Sequence, residues 1–459
     1  MGAVVTAPHW LGIAGIGAAY RAGTLDPITL VDALLARIAV VDPQLHCFIR
    51  LDIPAVRAAA IAATQEIAAY GMRGPLHGVP VGIKDVIDVA GLPTTCHSRL
   101  RLDDVAASDA AVVARLRGAG AIIFGKLATH EFAIGGPAFD LPFPPARNPW
   151  NIACHPGGSS SGAGAAVAAG LIPAAVGTDT AGSVRNPASA CGIVGLKPTR
   201  DAVSCEGVFP LAWSLDHVGP LTRSVEDAAL MLAAMTGVAY DGELLSDVAG
   251  LRIGVVRHFH EVDLPAGAET AAAFDRVADM LTGAGAVVTP VVLPSLNEFA
   301  AVNRIILAAE GFTIHRRDLC DRPGDYAAIT RRTLLVGAFL TAEDYVSAMR
   351  RRVQMTALVE AAFKDVDVLL TASSMEPACR IDDEAEIART YLKQARTPFN
   401  LTGHPALAMM SGLSAAGLPL SVQFVGRLHD EARLFRVAAA WQRAFGSPRP
   451  PLSDSSKWN

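Results

Sequence analysis

Between residues 156 and 200 the chain carries two glycine-rich loops that each bear serine. The first reads Pro156-Gly157-Gly158-Ser159-Ser160-Ser161-Gly162; the second reads Gly177-Thr178-Asp179-Thr180-Ala181-Gly182-Ser183. Glycine lets backbone N–H groups turn inward and approach a ligand closely. Consecutive inward N–H groups make an anion-binding nest. The stretch Thr180 to Ser183 could therefore hold an oxyanion beside the Ser183 hydroxyl. A serine hydroxyl is a weak nucleophile and needs an adjacent base.

Other motifs surround these loops. GPLHGVPVGIKDVIDVAGLPTT lies at 74–95 and CGIVGLKPT at 191–199, followed by Ser214-Leu215-Asp216-His217-Val218-Gly219-Pro220 and Pro398-Phe399-Asn400-Leu401-Thr402-Gly403-His404-Pro405. Together with GGSSSG and GTDTAGSVR, this set resembles the amidase signature family, in that family's order and over nearly the whole chain. The resemblance implies a Ser–Ser–Lys triad: Lys84 of the GIKD motif, Ser159 after the paired glycines, and Ser183 as nucleophile. It implies a cis Gly158–Ser159 peptide and oxyanion donors from the N–H groups of Thr180, Ala181, Gly182 and Ser183. Ser160 maps to a serine that orients the lysine. Asp179 and Arg185 map to charged residues that brace the loop. Ala181 stands where many members have glycine; an alanine keeps the backbone donor, and an ordinary φ is expected there because a positive φ would be costly.

The implied chemistry is coherent. Lysine serves as a base only when neutral, and at an ordinary pKa of about 10.4 neutrality near pH 7.4 costs about 4 kcal/mol. Burial would lower that pKa. Lys84 would take a proton from Ser159, which takes one from Ser183, and the nest would receive the charge on the tetrahedral intermediate. Against this stand plainer readings: a surface or Asp85-paired lysine, a flexible serine loop, a helix-capping Ser183. Gly158 to Gly162 also matches the GxSxG elbow with Ser160 as nucleophile, but that elbow follows a hydrophobic strand, and Asn151-Ile152-Ala153-Cys154-His155-Pro156 is not one. His258 and His260 read as surface histidines and not as a metal pair, since no third ligand is placed by spacing. His404 reads as structural.

The elements that must position these groups alternate between helices and short apolar strands, which indicates an α/β fold. Asp26-Pro27 caps a helix whose Leu30, Leu34, Ile38 and Val41 share a face, ended by Asp42-Pro43. An alanine-rich helix follows over 54–69. A strand is expected over 79–89, with Val81, Ile83, Ile87 and Val89 on one parity and Lys84 on the other. Ser108 caps a helix to Arg117 before a strand at 121–124, and a similar unit recurs at 269–293. Further strands are expected at 251–256, 366–370 and 420–425. Residues 135–162, rich in proline, break the rhythm, and a long irregular segment inside a domain is usually functional. The expected fold is a mixed twisted β-sheet core surrounded by α-helices, in a single domain spanning 1–459 with a helical lid excursion at 296–350.

Composition narrows the function. Of 459 residues 51% are hydrophobic and 18% charged, ample for a large core and against disorder. The formal net charge of −5 and the lack of a basic run argue against nucleic acid; Arg350-Arg351-Arg352 reads as the solvated face of a helix. Seven scattered cysteines without a CxxC suit free buried thiols in a reduced, cytoplasmic protein. Met1 to Thr6 fits a loose myristoylation pattern of little weight, and no membrane association is expected. The reading is a cofactor-free and metal-free hydrolase of a small amide, anilide, carbamate (a urethanase) or ester, with a homodimer as its expected assembly. Gly135, Gly136, Phe139, Phe143 and Trp213 are the candidate pocket residues. The alternative is an amidotransferase A-type subunit that works only within a complex.

Overall fold

Short apolar runs fill the centre of the molecule, and the helices between them cover both faces. The computed structural model describes residues 7–391 and 394–453; the myristoylation-like Met1 to Thr6 lies outside them. Among the described residues the strands join into one mixed sheet of 11. They are β1 (Phe48–Arg50), β2 (Pro80–Lys84), β3 (Ile122–Leu127), β4 (Ala174–Thr178), β5 (Val194–Lys197), β6 (Val218–Thr222), β7 (Arg252–Val255), β8 (Val287–Pro290), β9 (Val368–Ala372), β10 (Ala406–Leu413) and β11 (Pro419–Gly426). Their order is β1-β3-β2-β4-β6-β5-β10-β11-β9-β7-β8. β2 runs parallel to β3 and β4, and β7 parallel to β8 and β9; the central strands pair antiparallel. The expected mixed sheet with flanking helices is the architecture found.

Several boundaries differ from expectation. The strand expected over 79–89 stops at Lys84, because Val86 and Ile87 N–H groups fold back onto the Lys84 carbonyl. The first long helix, capped by Asp26 on Thr29 N, runs through Pro43 to Leu45, where His46 ends it in a left-handed conformation. The helix expected from Ser108 begins at Ala111. The thiols are free, but Cys205 and Cys320 are exposed, not buried. Arg352 is not a solvated side chain: it is buried and donates to the carbonyls of Leu401 and Ser214. His260 is likewise buried, against the Phe274 ring.

Residues 296–362 are almost wholly helical, in Leu296–Asp321, Ala328–Leu334, Leu335–Phe339 and Ala342–Ala362. Residues 135–160 hold no helix or strand. Among the described residues no helix is long and apolar enough to cross a membrane.

Candidate active site

Lys84 closes β2 and Thr178 closes the neighbouring parallel β4, so both side chains emerge at the carboxyl edge of the sheet. Open α/β sheets place their ligand crevices along that edge. Lys84 is fully buried. Its Nζ donates to Ser159 Oγ at 2.7 Å and to Thr178 Oγ1 at 2.7 Å. No carboxylate pairs with it among the described residues. Asp85, the neighbour that could have claimed it, turns instead to Lys126 at 2.8 Å and to Thr95 N. Burial therefore dominates and lowers the Lys84 pKa to about 7, against a weaker upward pull from Asp179, Asp216 and Cys96.

Ser159 lies in the loop entering the helix Ser161–Ala168, and the Gly158–Ser159 peptide is cis. The loop is pinned at three points. His130 N donates to the Ser159 carbonyl. Ser160 Oγ exchanges hydrogen bonds with the backbone N–H and carbonyl of Thr178, at 3.3 and 3.2 Å. Ser160 N donates to the Ser183 carbonyl at 3.2 Å. Gly158 has no room for a side chain, since a Cβ would stand 2.0 Å from the His130 ring. Ser160, expected to orient the lysine, makes no hydrogen bond to Lys84 among the described residues. The hydroxyl that orients the amine is that of Thr178, and Ser160 holds the backbone of that threonine.

The second loop is organised by Asp179. Its carboxylate accepts from Gly182 N at 2.7 Å, Val184 N at 3.1 Å and Arg185 N at 3.3 Å. Arg185 returns Nε and Nη2 to the same carboxylate, and Asn400 Nδ2 adds a further bond at 2.8 Å. Burial pushes the Asp179 carboxyl upward, but the Arg185 guanidinium and these donors win and hold it well below the usual carboxylate range. Arg185 also reaches Gln423 and Asn400, so the pair is fully satisfied though fully buried. A second correction follows. The Gly182 N–H, expected among the oxyanion donors, donates to the Asp179 carboxylate. The N–H groups of Thr180, Ala181 and Ser183 bond to no described residue, and these three remain as donors. Ala181 has no positive φ, whereas Gly182 has φ 120 and bears the bend. Thr180 is anchored through its hydroxyl to Asp216 at 2.5 Å.

The loops thus bring Lys84, Ser159 and the Ser183 backbone together. The two hydroxyls themselves are not hydrogen-bonded among the described residues, and Ser183 is partly exposed. A buried amine that favours its neutral form, a serine bonded to it, a second serine and three free N–H groups are the components of base-assisted nucleophilic attack.

The candidate pocket residues scatter more widely. Gly135 and Gly136 lie under Ile329 and Thr330 of the helical excursion. Phe143 packs edge-on against His97 and lines a hollow with Ile38 and Phe48. Phe139 is exposed against Arg147, and Trp213 is exposed. Sequence reasoning assigned no role to Thr178, Asp216 or Arg396. Thr178 stood inside the quoted GTDTAGS motif, but its role depends on which strand lies beside β2. His404, expected to be structural, bonds Thr402 and reaches Glu360 at 3.0 Å. Among the described residues no group of His, Cys, Asp or Glu side chains could hold a metal ion.

Known proteins resemble this chain in sequence and in fold over nearly its whole length. The family model described as Amidase matches residues 29–435. The glutamyl-tRNA(Gln) amidotransferase A subunit of Roseiflexus sp. (strain RS-1) is 37% identical, over 96% of this chain and 97% of its own. That of Geobacter metallireducens is 36% identical, over 92% and 94%. Among solved structures, native peptide amidase from Stenotrophomonas maltophilia superposes with a TM-score of 0.85 at 29% identity, covering 97% of this chain and 99% of that one. The glutamyl-tRNA(Gln) amidotransferase A subunit from Thermotoga maritima gives 0.80 at 30%, covering 97% of each.

Proposed function

The chain belongs to the amidase family, and from that membership we propose that it hydrolyses an amide-type C–N bond through an acyl-enzyme on Ser183. The single observation that carries the reading is the 2.7 Å bond between Ser159 and an amine that is buried without a counter-charge. Neutral Lys84 takes the Ser159 proton as Ser159 takes that of Ser183, and Ser183 Oγ attacks the carbonyl carbon. The N–H groups of Thr180, Ala181 and Ser183 receive the oxyanion. As the intermediate collapses the C–N bond breaks, and Ser159 delivers a proton to the departing amine. Water then enters, loses its proton along the same path, and releases the acid. The Ser159–Ser183 hydrogen bond forms when substrate turns the Ser183 hydroxyl inward; such contacts are commonly loose before substrate binds. Amides, anilides, carbamates and esters all fit this sequence.

We read the chain as one domain, with residues 296–350 as a cover over the site. Glu131 supports that reading: it accepts from Ala327 N on the excursion and from Ser98 Oγ beneath it.

Ser183→Ala should lower kcat on the best amide of a panel by at least a thousandfold, with no response to chelators. Wild-type turnover by that variant, or loss with a chelator and recovery with metal, refutes the proposal. The second reading, an amidotransferase A-type subunit, is favoured by the names of the relatives at 36–37% identity. It uses the same acyl-enzyme but passes the released ammonia to a partner. Full amidase activity in an isolated chain that elutes as a monomer or homodimer would decide against it.

A further inference from the structure

Arg396 stands where the proposed chemistry gives it no part. It precedes the helix Thr397–Thr402, is buried, and packs on Gly182 so closely that a Cβ there would meet its Nε at 2.8 Å. Its guanidinium therefore lies against the backbone one residue before Ser183. Nη1 donates to Ser374 Oγ at 2.7 Å and Ser373 Oγ at 3.3 Å. Nε is buried with no hydrogen-bond partner. Among the described residues no carboxylate pairs with it: Asp179 is engaged by Arg185, and Glu376, on the same cleft, by Arg389. Burial, and then repulsion from Arg185, lower its pKa to about 9, so the charge persists at neutral pH. The cleft beside it is lined by His155, Asn186, Ser374 and Tyr391, together with Glu376, whose carboxylate is bound by Arg389. Asn186 belongs to the helix that begins just after Ser183.

A buried charge without a counter-charge is costly, and an orphaned buried donor in a native structure calls for an explanation. We propose that Arg396 is a specificity-determining residue that binds a carboxylate on the substrate, so that preferred amides carry an acid group close to the scissile bond. The proposal rests on Ser183 being the acylated residue. A guanidinium meets a carboxylate through charge-assisted, forked hydrogen bonds. Substrate would supply both the missing acceptor and the missing charge. A neutral amide of the same shape supplies neither.

The test uses two matched pairs: malonamate with acetoacetamide, and succinamate with levulinamide, in which a methyl group replaces the carboxylate oxygen. Binding is measured by calorimetry on Ser183→Ala protein, which cannot turn them over. At least one carboxylate amide should bind ten times more tightly than its ketone partner. Adding Arg396→Gln should bring that ratio close to one, and Arg396→Lys should retain part of it. With Ser183 intact, the ratio of kcat/KM values should follow the same order. No preference for either carboxylate amide overturns the proposal, and so does a preference that survives Arg396→Gln. Equal losses on both members of a pair would mean that Arg396 only braces the Gly182 loop, which also overturns it. Turnover that survives Ser183→Ala would instead sink the reading of Ser183 and leave the binding preference standing.

Discussion

Lowering the pH through neutrality should switch this site off by protonating Lys84. Burial brings the amine from 10.5 to about 7. If the rate follows the neutral fraction, kcat/KM climbs about tenfold per pH unit below 7 and flattens above it. An amine left at 10.5 would be neutral in only about one molecule in three thousand at pH 7. The displacement also has a stability signature. Between about 7 and 10.5 the unfolded chain still holds the proton that the folded chain has lost. Stability contributed by this group therefore rises with pH across that window. Below pH 7 both states are protonated and the burial penalty stands in full, about 5 kcal/mol at 1.36 kcal/mol per pH unit. Lys84→Met removes that penalty and gives up two hydrogen bonds of about 1 kcal/mol each. The variant should thus be inactive yet more stable than wild type by roughly 3 kcal/mol at pH 6, and should lose that advantage by pH 10. The assays are a kcat/KM profile from pH 5.5 to 9 and urea unfolding at pH 6, 8 and 10. Asp216, raised by burial to about 6, could mimic the acid limb, so the profile is repeated with Asp216→Asn, where the break near 7 should persist. A profile flat across 6 to 8, one that breaks only near 10, or a Lys84→Met protein less stable than wild type at pH 6 would refute the reasoning.

Thr178→Val keeps the side-chain shape but removes one of the two hydroxyls that receive the Lys84 amine; kcat/KM should fall about tenfold, the equivalent of one hydrogen bond to a critical group, in steady-state assays. Gly182→Ala places a methyl group 2.8 Å from Arg396 Nε at a φ of 120, and should cost about 2 kcal/mol or more by thermal melting along with most of the activity. Arg185→Met leaves Asp179 buried without its cation, so urea unfolding at pH 7 should show a loss of about 3–5 kcal/mol.

The chemistry of this site was more legible in the chain than its support. Lys84, Ser159 and Ser183 stand in long local motifs, where type and order carry the information. The roles of Thr178, Asp85 and Gly182 do not, because each is fixed by a neighbour distant in sequence. Thr178 matters through β4 lying beside β2, with Ile83 opposite Val176, and strand order cannot be read from alternation alone. The Gly182 N–H looked like an oxyanion donor until the Asp179 carboxylate was found beneath it. The strands at β4, β5 and β10 escaped a reading based on period, since a strand buried on both faces shows no alternation. The helix expected from Ser108 starts at Ala111 instead, with Ala110 at the cap position and no side-chain cap bond to mark the start in the sequence.

A neutral lysine beside a serine requires the surrounding fold to withhold negative charge, and the way it does so is specific. Two carboxylates flank this region in sequence, Asp85 next to the amine and Asp179 next to Thr178. Either could hold Lys84 in its charged form. Each is instead committed to another buried cation, Asp85 to Lys126 and Asp179 to Arg185. Buried ion pairs contribute little net stability against their desolvation cost, so these two are better understood through what they leave behind. They let carboxylates organise the loops, by accepting from Thr95 N on one side and from Gly182 N and Val184 N on the other, while neither carboxylate pairs with the amine and the upward pull of Asp179 on it is outweighed by burial. Lys84 is left with only hydroxyl acceptors. In that setting burial lowers its pKa, and the same burial strengthens whatever the three free N–H groups offer an oxyanion.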